Sequence, residues 1–507
     1  MDDLSLPILV IVLVYIFWCF WISKTSNKEK HDPIPPGPRG LPILGYLPFL
    51  QLNLHIQFSE LAKKYGPLYK FWLGTKLCVV ISSPSLIKQV VRDHDTIFAN
   101  RDSTVAAMVI TSGGADIAWC SYGKYWRDMR KLFVREMLSN TNLEASYIHR
   151  KVEVTKVAKS LYKKIGTSVD VSELIFVTEL NVVFNLLWGG TVDKKLMDGI
   201  GSACRQVTPK LIDLLIRPNV SDFFPVLAKF DLQGVEKEAK IVASCFDEIL
   251  DSVINERTVN GERRDDQGRK DFLQILLELK KQDDPDRSIN LSQIKAILKD
   301  VIVGGTDTTA TIIEWVMAEV LNNPHVKKRV QEELTEVVGL ENIVEESHIP
   351  KLHYLDAVVK ETFRLHPPLP LLIPKLPSQC CIIGGYTIPK GSRVFLNMWS
   401  IHRDPLVWES PSEFKPDRFL NDPGKFDYNG NNFQYLPFGS GRRVCPGILL
   451  AERMAMYFLA TLFHLFDWKL PEGEKIDLSE KFGIVTSKRM PLIAIPSPRL
   501  HDLNVYV

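Results

Sequence analysis

The chain has 507 residues, a length that admits either several average domains or one large core. Lys+Arg 62 against Asp+Glu 60 leave a net charge of +2, so nothing in the total points to nucleic acid or a strongly anionic partner, and electrostatic recognition has to be local. The eight cysteines show no C-x-x-C pair and no disulfide-framework spacing, which fits a reducing compartment.

From Leu4 to Ile22 the sequence is apolar and uncharged. At about 1.5 Å per residue such a helix spans roughly 28 Å, the thickness of a bilayer's hydrocarbon core. Asp2 and Asp3 precede the run and no small-residue cleavage site follows it, which argues against a cleaved signal peptide. Lys24, Lys28 and Lys30 lie on the far side and place that side in the cytosol. Residues 1–30 therefore read as a single-pass membrane anchor with its basic flank. Residues 31–49 are rich in Pro and Gly, among them Pro35, Pro36, Gly37, Pro38, Gly40, Pro42 and Gly45, and read as a stiff proline-rich hinge. The remaining 50–507 form the globular body.

Within the body, Tyr69–Trp72 and Leu77–Ile81 flank Gly74 as a strand pair, and Pro84 opens a helix. Helical periodicity dominates beyond that point, so the fold class expected is mainly α with small β-sheets. The charged stretches Asn255–Asp271 and Lys280–Asp286 read as solvated loops.

Trp126 and Arg130 stand four apart on a predicted helix. A longer helix is expected from about Gln293, capped by Ser292, to Asn322, with Pro324 ending it. Its middle reads G-G-T-D-T-T, Gly304 to Thr309. Two interior glycines cost about 1 kcal/mol each relative to Ala, so this patch serves something other than helix stability. Val301, Gly304, Gly305 and Thr308 share one face, which leaves room for a substrate or O₂ beside a hydroxyl; close helix–helix packing is the alternative. Glu361 and Arg364 are three apart on a helix that Pro367 and Pro368 end, a spacing that pairs them on one face.

The segment P-F-G-S-G-R-R-V-C-P-G, Pro437 to Gly447, sets Cys445 just ahead of an apolar helical run. A cysteine there is favoured as a thiolate by the helix dipole and unpaired N–H groups, and is a soft anionic metal ligand. Glycines at 439, 441 and 447 let the loop approach a flat cofactor, and Arg443 can neutralise a carboxylate on it. Pro446 offers no N–H to the sulfur, so later amides such as Gly447 must.

The order Phe438, Gly441, Arg443, Cys445, Gly447 resembles the haem-binding loop of the cytochrome P-450 family. The hinge, W-x-x-x-R at Trp126, G-G-T-D-T-T, E-x-x-R at Glu361 and F-K-P-D-R-F at Phe414 follow in that family's order, so the resemblance covers essentially the whole chain. It is similar in particular to plant microsomal members, and L-L-W-G-G at Leu186 and the segment Arg217–Asp231 look closest to a subgroup of sesquiterpene and flavonoid hydroxylases.

The resemblance implies the cytochrome P-450 fold and a haem b whose iron takes Cys445 as axial ligand. It assigns haem contact to Phe438 and propionate contact to Trp126, Arg130 and Arg443, with Lys375 where the family usually has Arg or His. Lys375 keeps the charge without the bidentate geometry. Thr308 becomes the residue that hydrogen-bonds bound dioxygen, Asp307 a member of the proton relay, and Glu361, Arg364 and Arg418 a buried structural triad. The substrate pocket falls on Met108, Ile110, Val301, Gly304, Gly305, Leu371, Leu372, Ile373, Ile484 and Val485. Partners implied are an NADPH-cytochrome P-450 reductase, O₂, the endoplasmic reticulum membrane with the body facing the cytosol, and a hydrophobic metabolite. A sesquiterpene is the first expectation and a flavonoid the second. A fold-sharing isomerase or dehydratase acting on hydroperoxides is the rival class, and Thr308 argues against it. A basic patch of Lys124, Arg127 and Lys131 is the expected reductase contact.

Overall fold

The computed structural model describes residues 33–189, 194–261, 270–282, 288–421 and 424–506. The expected anchor at Leu4–Ile22 lies outside them. In chain order the elements that position the site are α1 (Leu54–Tyr65), β1 (Leu68–Leu73), β2 (Lys76–Ile81), β3 (Asn100–Arg101), α2 (Val105–Ile110), α3 (Lys124–Glu136), α4 (Val171–Trp188) and α5 (Lys194–Ile216). They continue with α6 (Val235–Asn260), α7 (Leu291–Asn322), α8 (Pro324–Val338), α9 (His353–Leu365), β4 (Lys375–Leu376), β5 (Arg393–Leu396), α10 (Ile448–Leu465), β6 (Glu480–Lys481) and β7 (Ser487–Lys488).

The largest sheet has the order β1-β2-β5-β4-β3. β1 and β2 pair antiparallel where alternating apolar residues predicted a strand pair, and β5 joins β2 in parallel with Cys78 opposite Arg393. At the other edge β3 and β4 pair with Arg101 directly opposite Lys375. The hinge segment does not stand free of the body. Lys70 donates its backbone N–H to the Pro36 carbonyl at 2.8 Å, and Gly45 bridges Leu73, so these residues extend the sheet edge along β1.

α7 runs through the body between two apolar clusters. One side, including Ile312, Ile313 and Val316, packs with α8, α9 and α10; the N-terminal part, including Ile294, Ile297 and Leu298, packs with α4 and α6. It starts two residues earlier than expected. Asn290, rather than Ser292, is the N-cap, forming a capping box with Gln293, because the Asn side chain and Gln293 satisfy each other's backbone amides. Pro324 does not merely end α7 but opens α8, where its missing N–H costs nothing.

α6 continues to Asn260, further than the charged sequence suggested. Arg257 is buried there and pairs with Asp271 at 2.7 Å, so two charges read as loop residues lie inside the fold. α4 and α10 are long and apolar enough to cross a membrane, yet most of each is buried in the body; they are core helices.

Candidate active site

A cavity of about 350 Å³ lies between the central part of α7 and the loop that leads into α10. Cys445 is on its wall, held by the loop's own backbone: its N–H donates to the Phe438 carbonyl at 3.0 Å, and the Gly447 amide donates to its sulfur. Phe438 packs its ring on Phe363 and Tyr428, each 5.1 Å away. Gly441 cannot be replaced without strain. It has φ +70°, and a Cβ there would lie 2.4 Å from the Val91 carbonyl oxygen. Burial pushes the Cys445 thiol pKa up, against the Gly447 hydrogen bond and the Arg130 charge.

Opposite the loop, Val301, Gly304, Gly305 and Thr308 line the cavity. The two glycines have different reasons to be small. A Cβ on Gly305 would meet Val183 of α4 at 3.1 Å, whereas one on Gly304 would meet nothing within 4 Å and would project into open space. Both the packing and the cavity readings of this patch hold, one per glycine. The helix stays α-helical through it, and the Thr308 hydroxyl donates to the Gly304 carbonyl at 2.7 Å. Asp307 is not on the cavity wall. Burial raises its carboxyl pKa to about 6.

One flank of the cavity is cationic. Arg130 donates to the Val444 carbonyl at 2.5 Å, and Trp126 donates its indole N–H to the Ile117 carbonyl at 3.0 Å. Arg443 donates to the carbonyls of Ala99 (2.6 Å) and Ile117 (3.0 Å) and lies 4.4 Å over the Trp126 ring. Lys375 is buried on the same wall.

The residue that sequence reading missed is Arg101, which donates to the Ala118 and Ile373 carbonyls at 3.2 and 2.9 Å. Only the strand register, which sets it against Lys375, identifies it. Among the described residues none of these four cations is in an ion pair. Burial, then neighbouring cations, lowers Arg101 to about 9 and Lys375 to about 7; burial lowers Arg443 to about 10 and also lowers Arg130. Like charges facing each other across two strands are destabilising, so this cluster calls for an anion.

Two expected pocket residues are elsewhere. Met108 is 40% exposed, because Ala107 and Ile110 take the inward face of the short helix α2. Leu371 packs into the cluster of Phe58, Tyr69 and Phe395 by the sheet. Leu372, at φ +50°, ends a turn closed by its N–H on the Leu369 carbonyl, and Leu372 and Ile373 line the cavity. Ile110, Ile484 and Val485 line it as well.

Glu361 and Arg364 form a fully buried bidentate pair, with Arg364 Nε and Nη2 at 2.7 and 2.8 Å from the carboxylate, and Arg418 Nε donates to the same carboxylate at 3.0 Å.

The model of the family described as Cytochrome P450 matches residues 35–494. The chain belongs to the cytochrome P450 family. It is 38% identical over 508 residues to a flavonoid 3'-monooxygenase of Crocosmia x crocosmiiflora, covering 96% of this chain and 98% of that one. To a flavonoid 3',5'-hydroxylase of Campanula medium it is 36% identical over 504 residues, covering 96% of each. A zebra fish cytochrome P450 solved with progesterone superimposes with a TM-score of 0.76 at 28% identity, covering 88% of this chain and 100% of that one. The protein is a P450 monooxygenase with the family's mainly helical fold.

The family is a haem-thiolate one, and the residues present fit that group. The Cys445 thiol sits on a glycine-bearing loop at one wall, and beside it stand four cations, Lys375 and Arg443 buried and Arg101 and Arg130 half-buried, that form no ion pair among the described residues, as two carboxylates on a flat macrocycle require.

Proposed function

We propose that the protein hydroxylates a hydrophobic plant metabolite, with Cys445 as axial ligand to haem b and electrons from NADPH delivered by a reductase. The observation that carries this reading is the meeting, in one cavity, of Cys445, the unpaired cations and the Gly304–Thr308 face of α7. When bound, haem supplies the reductive activation of O₂ that places one oxygen in a C–H bond and the other in water.

The chain's residues do the rest. Arg101, Arg130, Lys375 and Arg443 hold the carboxylates, and the Gly447 amide orients the Cys445 sulfur. Gly304 keeps space open next to the Thr308 hydroxyl. Asp307, next to Thr308 in the chain and buried behind the cavity wall, has its carboxyl pKa raised by burial and is the acid we assign to proton delivery. Apolar walls at Ile110, Ile373, Ile484 and Val485 exclude water and favour an uncharged substrate. The flavonoid hydroxylases among the relatives support a flavonoid-type substrate ahead of the sesquiterpene that the sequence segments suggested.

Thr308→Ala tests the mechanism. In microsomes reconstituted with reductase it should keep its thiolate-type spectrum and consume NADPH, while product per NADPH falls at least about tenfold and peroxide rises. Wild-type coupling in this variant would remove the role given to Thr308. Product formed without NADPH would instead favour the isomerase class.

The reductase contact we place on exposed Lys124, Arg127 and Lys131 of α3, the helix whose inner face carries Trp126 and Arg130. Lys124→Glu with Lys131→Glu should raise the reductase concentration for half-maximal rate several-fold, on the order of ten at low ionic strength, and salt should shrink the difference. A salt-independent reductase requirement, unchanged in the variant, would clear this patch of the role.

Attachment to the endoplasmic reticulum membrane is supported by apolar side chains exposed near the start of the body. Leu41, Ile43 and Trp72 stand on the first sheet edge, and Val226, Phe230 and Leu232 on the segment joined to it through the Thr75 N–H to the Phe223 carbonyl.

A further inference from the structure

One buried cation of the cavity wall is not used above. Lys299 of α7 is 4% exposed and lines the cavity together with Leu211, Leu215 and Ile373. Its Nζ lies 2.7 Å from Asp247 of α6 and donates to the carbonyl of Ile110 at the end of α2, 3.3 Å away. An ammonium has three N–H donors, so one remains. Lys299 precedes Thr308 by nine residues, about 13 Å along the helix axis.

Its neighbour Asp300 is already committed: the carboxylate accepts from the amides of Ile117 and Ala118 at 2.6 and 3.3 Å and is hydrogen-bonded to Asp116. Asp300, which also lines the cavity, pins that segment, whereas Lys299 has a donor to spare among the apolar side chains of Leu211, Leu215 and Ile373. Packing alone would be served by Met or Leu. A buried ion pair usually gains little over such residues, so the ammonium calls for another reason.

We propose that Lys299 is a specificity-determining residue whose ammonium donates to an acceptor oxygen on the end of the substrate remote from the carbon hydroxylated. The preferred substrate is therefore one already oxygenated, a phenol, alcohol or carbonyl compound, and not a bare hydrocarbon. The proposal rests on the hydroxylase reading and deepens it. A site built to hydrogen-bond an oxygen discriminates strongly against the analogue that lacks it, because the donor is then left desolvated and unpaired.

The test is spectral binding titration of the haem-loaded, full-length enzyme with two matched pairs, each an oxygenated compound against its bare hydrocarbon: a hydroxystilbene against stilbene, and a sesquiterpene alcohol against its parent hydrocarbon. Wild-type enzyme should bind the oxygenated member of at least one pair about tenfold more tightly, and Lys299→Met should reduce that preference to within about twofold. Asp247→Asn removes the helix–helix ion pair but leaves the ammonium, and should retain the preference. No preference in the wild type, no binding of either oxygenated probe, a preference that survives Lys299→Met, or one lost equally in Asp247→Asn would each overturn the proposal. The reduced carbon monoxide spectrum of every variant reads the haem-thiolate assignment separately, so a failure of that reading is distinguishable from a failure of this one.

Discussion

Glu361→Ala should give little or no soluble, haem-loaded protein, with a urea midpoint well below that of the wild type for whatever is recovered. The carboxylate is fully buried and serves three partners: Arg364 in bidentate geometry, Arg418, and the backbone N–H of Lys415 at 2.8 Å. Arg364 in turn donates to the carbonyls of His402 and Pro411, both at 2.7 Å, and Glu413 at 3.1 Å. The triad thus ties α9 to the chain segments that lead toward the cysteine loop.

Alanine at 361 would leave two guanidinium groups without their counter-ion, one of them fully buried. Breaking such a network costs ~3–5 kcal/mol, a large part of the 5–15 kcal/mol typical of a folded protein. Glu361→Gln keeps the shape and one acceptor and should fall between. Arg364→Lys keeps charge but loses the fork, and should resemble alanine more than wild type. A urea midpoint for Glu361→Ala equal to that of the wild type would show that the triad is not structural.

The sequence made the triad legible because spacing on one helix fixes a pair, and a third member can be sought by motif. The same holds for Thr308, whose helical phase with Val301 and Gly304 puts all three on one wall. Local periodicity does not reach across the fold. Arg101 joins the cationic flank only through its register opposite Lys375, a pairing between segments more than 270 residues apart that no spacing rule reveals. Met108 and Leu371 were misplaced for the opposite reason. A pocket assigned by segment takes neighbours together, whereas successive side chains on a helix or an irregular turn point in different directions. Arg257 and Asp271 read as solvated because charge is usually exposed, and instead pair with each other inside the fold. The gap between Gly304 and Gly305 is instructive too. Composition shows that both are small, but only their surroundings show that one faces a neighbouring helix and the other an open cavity.

Cys445→Ala should abolish the thiolate-type reduced carbon monoxide spectrum and all NADPH-coupled hydroxylation while leaving the polypeptide fold in place. The loop is held by groups that alanine retains: the Cys445 N–H to the Phe438 carbonyl, the Val444 N–H to the Gly441 carbonyl at 3.0 Å, and Arg130 on the Val444 carbonyl. Only the sulfur is lost, and with it the acceptor for the Gly447 amide, an amide at a helix start that solvent or a ligand can satisfy. Cys445→Ser keeps a similar volume and an acceptor for Gly447 but offers a hydroxyl in place of a soft anionic ligand, so it too should lose the spectrum. The contrast with Glu361→Ala is the diagnostic: the urea midpoint of the metal-free protein should move little in Cys445→Ala and strongly in Glu361→Ala. A normal thiolate-type spectrum in Cys445→Ala would show that another group ligates the iron, and would end the role given to this cysteine.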